Sequence, residues 1–241
     1  MRLATVAVIF IGTDKYLNFL PSWYNSCEEK LLPDHKKQYF VFTDGDLQDI
    51  PENISVYKQE HQSWPFITLL RFDTILKARE ELEEYDWILF IDADMMVVDT
   101  VQPEEIFTDK KYIGVHHPCH YLQMPPHNQP PGAFETSKLS LAGIQDTDDT
   151  SVYYQGCVWG GKVPDVIQMM EELGDRTRQD LEKNVIAQWH DESHLNKFYA
   201  ERSDQVNVLS PSFAFPEDFA SHCDFQPKIV HLSKDNSKYH Q

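Results

Sequence analysis

Cysteine, basic residues and long hydrophobic runs are all in short supply. Four cysteines, Cys27, Cys119, Cys157 and Cys223, lie far apart with no CxxC pair, which excludes the disulfide framework of a small secreted domain and leaves four buried or half-buried thiols as the expectation. Lysine and arginine number 21 against 39 acidic residues, a formal charge of -18. Such a surface repels nucleic acid backbones and anionic lipid, so neither is an expected partner. The apolar stretch from Met1 to Phe10 is too short to span a bilayer and runs into Asp14 and Lys15 without a cleavage pattern. No membrane anchor is expected in this chain, and a cytoplasmic protein of a reducing compartment is the default. Internal repeats and low-complexity segments are absent too.

A hydrophobic content of 41% over 241 residues is enough for a full core, and one compact domain over 1–241 is expected. Leu3 to Ile11 is a continuous apolar run closed by Gly12, the pattern of a buried strand entering a turn. A helix over Tyr16 to Leu31 should follow, then strands at Gln38–Phe42 and Ile54–Tyr57. Leu69, Phe72 and Leu76 recur at helical spacing between Trp64 and Glu84, and Trp87 to Ile91 is another buried strand. From His116 to Thr150 periodicity is lost. Val152–Trp159 returns to strand character and ends at Gly160-Gly161, with helices expected over Asp165–Leu181 and Asn184–Ala200 and a last strand at Lys228–Leu232. Alternating strands and helices predict an α/β fold with a mostly parallel, Rossmann-like sheet.

Three segments carry chemistry. In Phe90-Ile91-Asp92-Ala93-Asp94 a buried strand runs straight into two carboxylates one residue apart. Strand alternation sends both to one side, where hard oxygen ligands can hold a divalent cation that bridges phosphates. The alternative is a capped turn with one solvated carboxylate. An EF-hand is ruled out because Met96 and Val97 stand where a ligand and the turn glycine belong. The second segment, Ala187 to Lys197, interleaves Trp189, His190 and His194 with Asp191 and Glu192. His190 and His194 share a helix face, but the zinc-hydrolase arrangement needs Glu directly after the first histidine, and Asp191 is there instead. Aromatic rings that pack on sugar faces, beside carboxylates and imidazoles that bind hydroxyls, suit a carbohydrate site. Glu192 is the candidate reacting carboxylate, facing an oxocarbenium-like centre. The third segment, Tyr153 to Gly161, is a strand with small residues at its middle and end that let a ligand approach the backbone; a simple bulge and turn is the alternative.

With these segments the chain resembles the family 6 glycosyltransferases, the group of the histo-blood group A and B transferases and α-1,3-galactosyltransferase. AQWHDESHLNK at Ala187–Lys197 is close to that family's most specific motif, and the D-x-D and YY…GG segments fall in the same order. The resemblance implies a GT-A fold and a retaining transfer from a UDP-sugar, galactose or N-acetylgalactosamine, to a glycan acceptor in α-1,3 linkage. It assigns Asp92 and Asp94 to Mn2+ or another divalent cation, with Ala93 between them. Ile11, Thr13, Tyr16 and Arg71 fall at the nucleotide and donor. Gln155, Gly156 and Cys157 fall where the donor sugar is read, and that triplet differs from either mammalian pattern, so glucose stays open. Asp191 falls at the donor, and His117, Trp189 and His190 at the acceptor. Bacterial relatives often carry Asn-x-Asn and work without metal; both aspartates here imply that a metal is needed. The tail ends early, and Lys234 or Lys238 would close over the phosphates. Two other readings are a UDP-sugar hydrolase and a non-catalytic glycan-binding module, the latter disfavoured by the presence of Asp92, Asp94 and Glu192 together.

Overall fold

The computed structural model describes residues 3–124, 133–218 and 226–234. Among them, seven strands form one sheet in the order β3-β2-β1-β4-β7-β6-β8. In chain order these are β1 (Thr5–Ile11), β2 (Lys36–Thr43), β3 (Ile54–Lys58), β4 (Trp87–Ile91), β6 (Tyr112–His116), β7 (Tyr154–Lys162) and β8 (Val206–Leu209). β5 (Met95–Val97), β9 (Phe215–Pro216) and β10 (Ile229–His231) make a second, small sheet in the order β5-β10-β9. The large sheet is parallel at β3-β2-β1-β4 and β6-β8, and antiparallel where β7 enters between β4 and β6. This is the α/β layout expected of a GT-A fold.

The helices are α1 (Leu20–Lys30), α2 (Phe66–Leu69), α3 (Arg71–Ile75), α4 (Arg79–Leu82), α5 (Pro103–Ile106), α6 (Pro118–Tyr121), α7 (Val163–Glu182) and α8 (His190–Ala200). Alternation along β1 divides the core between the two faces of the sheet. Val6, Val8 and Phe10 pack with Trp23 and Cys27 of α1, while Ala7 and Ile9 pack with Phe72, Ile75, Met170 and Leu195 on the α3/α7/α8 side. Each of these residues is at or near zero exposure, and full burial of such side chains contributes about 1.5–3 kcal/mol apiece.

Several expected boundaries move. The helix expected from Tyr16 is a 3₁₀ segment over Asp14–Phe19 before α1 begins at Leu20. The stretch from Trp64 to Glu84 keeps its apolar spacing but is broken into α2, α3 and α4, because Leu70 and Ala78 leave the helical region at φ/ψ of -100/14 and -99/14. Expected from Asn184, α8 starts only at His190. Asn184 and His190 are left-handed at φ 57 and 51, and the Gln188 amide is tied to Glu135 Oε2 at 2.7 Å, so no helix can run through. β7 does not stop at Gly160-Gly161 but continues to Lys162. A Cβ at Gly160 would stand 2.2 Å from Ile88 O and one at Gly161 2.1 Å from Lys111 O, so the glycine pair is what lets β7 fit between β4 and β6. The stretch without periodicity holds β6's end and α6, while 125–132 lies outside the described residues. Cys27 and Cys157 are buried free thiols and Cys119 is partly exposed, with Cys223 outside the described residues. Among the described residues no helix is long and apolar enough to cross a membrane.

Candidate active site

Where β1 and β4 end, the strands open onto a cleft of roughly 200 Å³, the usual position for a ligand in an open α/β sheet. Ile11, Thr13, Asp14 and Tyr16 line it from the end of β1, and His61, Gln62 and Trp64 from the segment after β3. Thr68 and Arg71 face it from the broken helix, Asp92 and Asp94 from the end of β4, and His231 and Lys234 from the last described residues. Seven residues expected at the donor and metal, Ile11, Thr13, Tyr16, Arg71, Asp92, Asp94 and Lys234, therefore meet in one space, while Lys238 lies outside the described residues.

The two aspartates reach the cleft by a different route from the one strand alternation predicts. β4 ends at Ile91, and Asp92-Ala93-Asp94 form a turn closed by Met95 N donating to Asp92 O at 3.1 Å. β5 then pairs antiparallel with β10, and Leu232 N donates to Asp94 O at 2.9 Å. That pairing brings His231 Nε2 to 2.9 Å from Asp94 Oδ2, with Lys234 Nζ on the same oxygen. Burial opposes the charge on Asp94, but the His231 hydrogen bond and the nearby cations outweigh it and bring its pKa down to about 2. Asp92 goes the other way: burial raises its pKa, against the pull of Arg71, whose Nη2 is 3.7 Å from Asp92 Oδ2. Lys234 Nζ also lies 5.3 Å from the centre of the Tyr16 ring.

Arg71, only 5% exposed, joins all three sequence segments. Its Nη1 donates to Gly156 O at 3.0 Å, its Nε lies 3.0 Å from Asp191 Oδ2, and its guanidinium sits 4.7 Å over Phe90. A guanidinium this deep requires paired carboxylates, and Asp191 supplies one. Burial in turn raises the Asp191 pKa to about 6 despite Arg71, with Asp92 adding to the rise.

Glu192 stands in the first turn of α8, against β7. The Tyr153 hydroxyl donates to its Oε1 at 2.8 Å and Gly156 N to its Oε2 at 2.7 Å. β7 reaches it through an irregularity: Gly114 pairs with Trp159 but Val115 pairs with Gln155, so Gly156, Cys157 and Val158 have no partners on β6. Freed from β6, the segment turns to β4, where Cys157 O accepts from Asp92 N at 2.9 Å. A Cβ at Gly156 would come within 3.1 Å of Glu192 Cβ and 3.4 Å of its Oε2. Desolvation raises the Glu192 pKa to about 7, against the lowering effect of its two hydrogen bonds. Gln155 and Cys157 are buried beside it, the Cys157 thiol held protonated by burial and the surrounding carboxylates.

The expected acceptor residues are divided between the start of α6, at His117, and the start of α8, at Trp189 and His190. His117 caps α6: its Nδ1 accepts from Cys119 N at 3.1 Å, so a neutral ring carries its proton on Nε2. Its ring lies 5.7 Å from that of Tyr153. Trp189 is 42% exposed, and His190 meets Trp64 edge-on at 4.7 Å. The helix-face pairing of His190 and His194 does not make a metal site. His194 is fully buried, 3.7 Å from Asp180, and among the described residues no group of three or more His, Cys, Asp or Glu could hold an ion unaided.

Sequence reading gave no role to His61, whose Nδ1 is 2.9 Å from Thr13 Oγ1, nor to Trp64 and His231, and it placed Tyr153 and Asn196 in motifs without a part of their own. Asn196 could have been found, since it stands four residues after Glu192 within the same motif. His231 carries no local signal, because only the pairing of β10 with β5 brings it to Asp94.

Comparison with known proteins agrees with this geometry. The signature of glycosyltransferase family 6 matches residues 2–240. An Escherichia coli O-antigen biosynthesis glycosyltransferase, WbnI, is 31% identical over 98% of this chain and 97% of its own length. Human globoside alpha-1,3-N-acetylgalactosaminyltransferase 1 is 27% identical over 88% of this chain and 61% of its own length. Rat histo-blood group ABO system transferase 2 is 25% identical over 97% of this chain and 70% of its own length. With a whole-length signature and a glycosyltransferase relative matched end to end, this chain belongs to glycosyltransferase family 6 and is a glycosyltransferase.

Proposed function

We propose that the enzyme moves galactose or N-acetylgalactosamine, with glucose as a third candidate, from a UDP-sugar to a glycan acceptor, with retention and in α-1,3 linkage. The observation that carries this reading is the placement of Glu192. It is a carboxylate held by two donors, with its neighbour Asp191 paired to the Arg71 that also reaches Asp92. The names of the human and rat relatives, an α-1,3-N-acetylgalactosaminyltransferase and an ABO transferase, support the class of donor and linkage. Cytoplasmic work is part of the same proposal.

In this reading Ile11, Thr13 and Tyr16 hold the nucleoside at the end of β1. Gln155, Gly156 and Cys157 border the donor sugar, and His117, Trp189 and His190 receive the acceptor. Asp92 and Asp94 offer hard oxygen ligands suited to Mn2+, to which a bound diphosphate would add its own oxygens. When bound, such an ion supplies positive charge against the leaving UDP. Arg71 and Lys234 add fixed positive charge on the same side, which a chain of charge -18 needs locally to admit a diphosphate. Glu192 then faces the anomeric carbon, as nucleophile or as the stabiliser of developing positive charge.

UDP release from a panel of UDP-sugars, with Mn2+ and with a chelator, tests the proposal in the parent enzyme, Asp94→Asn and Glu192→Gln. Release should require the metal, depend on one donor and fall at least a hundredfold in both variants. Release indifferent to chelator and to both substitutions would overturn it.

A further inference from the structure

We propose that Tyr153 is a positioning residue for Glu192: its phenol and the Gly156 amide form a two-donor cradle that fixes the carboxylate's orientation and shares its negative charge. The inference rests on the reading of Glu192 as the reacting carboxylate.

Tyr153 is at zero exposure, just ahead of β7. Phe134 meets its ring edge-on at 4.9 Å, and His117 and His120 lie at 5.7 and 6.4 Å. Phenylalanine would fill that space equally well, so packing alone does not call for a hydroxyl. A phenol buried there is costly unless it finds a partner, and the partner is Glu192 Oε1 at 2.8 Å, 39 residues along the chain. Burial and the Glu192 charge hold the phenol in its protonated form, so toward the carboxylate it acts as a donor. With Gly156 N on Oε2, each carboxylate oxygen has one charge-assisted bond, stronger than a neutral one, and rotation of the carboxylate is stopped.

The surroundings explain why two donors are needed. Asp191 from the same helix adds negative charge, the Cys157 thiol of β7 stays protonated and neutral, and Arg71 from α3 is committed to Asp191 and Gly156 O. Each cradle bond opposes the rise that burial imposes, so removing one leaves less of Glu192 in the charged form that can stabilise or capture a positive centre. Tyr153 also accepts the His117 amide on its carbonyl at 2.8 Å, so one residue ties the acceptor wall to the reacting carboxylate.

The test is Tyr153→Phe, which keeps the ring. UDP affinity should stay within about twofold, with KM for donor little changed. The acidic limb of the kcat profile should move up by roughly one pH unit, with kcat on that limb down about tenfold. A turnover-independent readout is the carboxyl 13C titration of Glu192, assigned by its loss in Glu192→Gln; its midpoint should rise by about the same amount. Site-specific 3,5-difluorotyrosine at 153, a more acidic donor of nearly the same size, should move that midpoint down, and it serves as the test if Tyr153→Phe loses UDP binding. A midpoint unmoved by either replacement while UDP still binds would overturn the cradle. Wild-type transfer by Glu192→Gln would instead overturn the assignment of Glu192 as the reacting group, whatever the titration shows.

Discussion

Asn196 takes both backbone hydrogen bonds of Tyr154: its Oδ1 accepts from Tyr154 N and its Nδ2 donates to Tyr154 O, each at 2.7 Å. The same Nδ2 donates to Glu192 O at 2.9 Å. A side chain of α8 thus serves as the missing neighbour of β7 at the point where the strand turns toward the cleft, and it sets the height of Glu192 against Gly156.

Asn196→Ala should leave a buried amide and a buried carbonyl without partners, at a cost of about 2–5 kcal/mol. For a chain of this size that lowers the thermal midpoint by roughly 5–15 °C. Asn196→Asp keeps the acceptor but puts carboxylate oxygen against Tyr154 O and Glu192 O, so it should be no better. Thermal denaturation followed by circular dichroism measures both; midpoints within a degree of the parent would show that the staple is dispensable.

Gly156→Ala tests how closely β7 must approach the carboxylate. The added methyl lands 3.1 Å from Glu192 Cβ and 3.4 Å from its Oε2, so Glu192 must withdraw from the Gly156 amide. The expected outcome is a fall in kcat of about tenfold to a hundredfold, the loss of one well-placed charge-assisted bond. UDP affinity should be retained, because no nucleotide-side residue moves. Steady-state kinetics beside UDP titration calorimetry separates the two, and an unchanged kcat would mean that the site tolerates a shifted Glu192.

The pH dependence of folding should carry the mark of His194. Burial lowers its pKa to about 4, against the opposing effect of Asp180, with Arg176 adding to the fall. An unfolded histidine titrates near 6.5, so between about pH 6.5 and 4 the unfolded chain binds the proton and the folded one does not. Stability is therefore full above the unfolded value and falls as pH drops through this window, by about 3 kcal/mol in all. His194→Gln removes that contribution, so the gap in urea midpoint between pH 7.5 and pH 4.5 should be smaller in the variant than in the parent. An equal gap in both would place the acid sensitivity elsewhere.

Much of this site could be read locally. Asp92 and Asp94 stand out because a fully apolar strand ends in them, and Glu192 because its flanking residues form an uncommon, dense motif. The bonds of Asp94 with His231 and Lys234 span 137 and 140 residues, and no periodicity in either segment foretells them. The short strands β6 and β8 were missed for a related reason: four or five residues give too little alternation to separate a strand from a loop.

What the sequence by itself determined is therefore the order of buried strands, the two carboxylates at the end of β4 and the family motif at the start of α8, all written in residues a few positions apart. Only the tertiary structure decided that Arg71 joins the three segments, that Asp94 is shared between His231 and Lys234, and that Tyr153, Gly156 and Asn196 hold Glu192. The physical reason is that burial patterns repeat along the chain, whereas desolvation and charge pairing depend on which distant groups the sheet brings within about 3 Å.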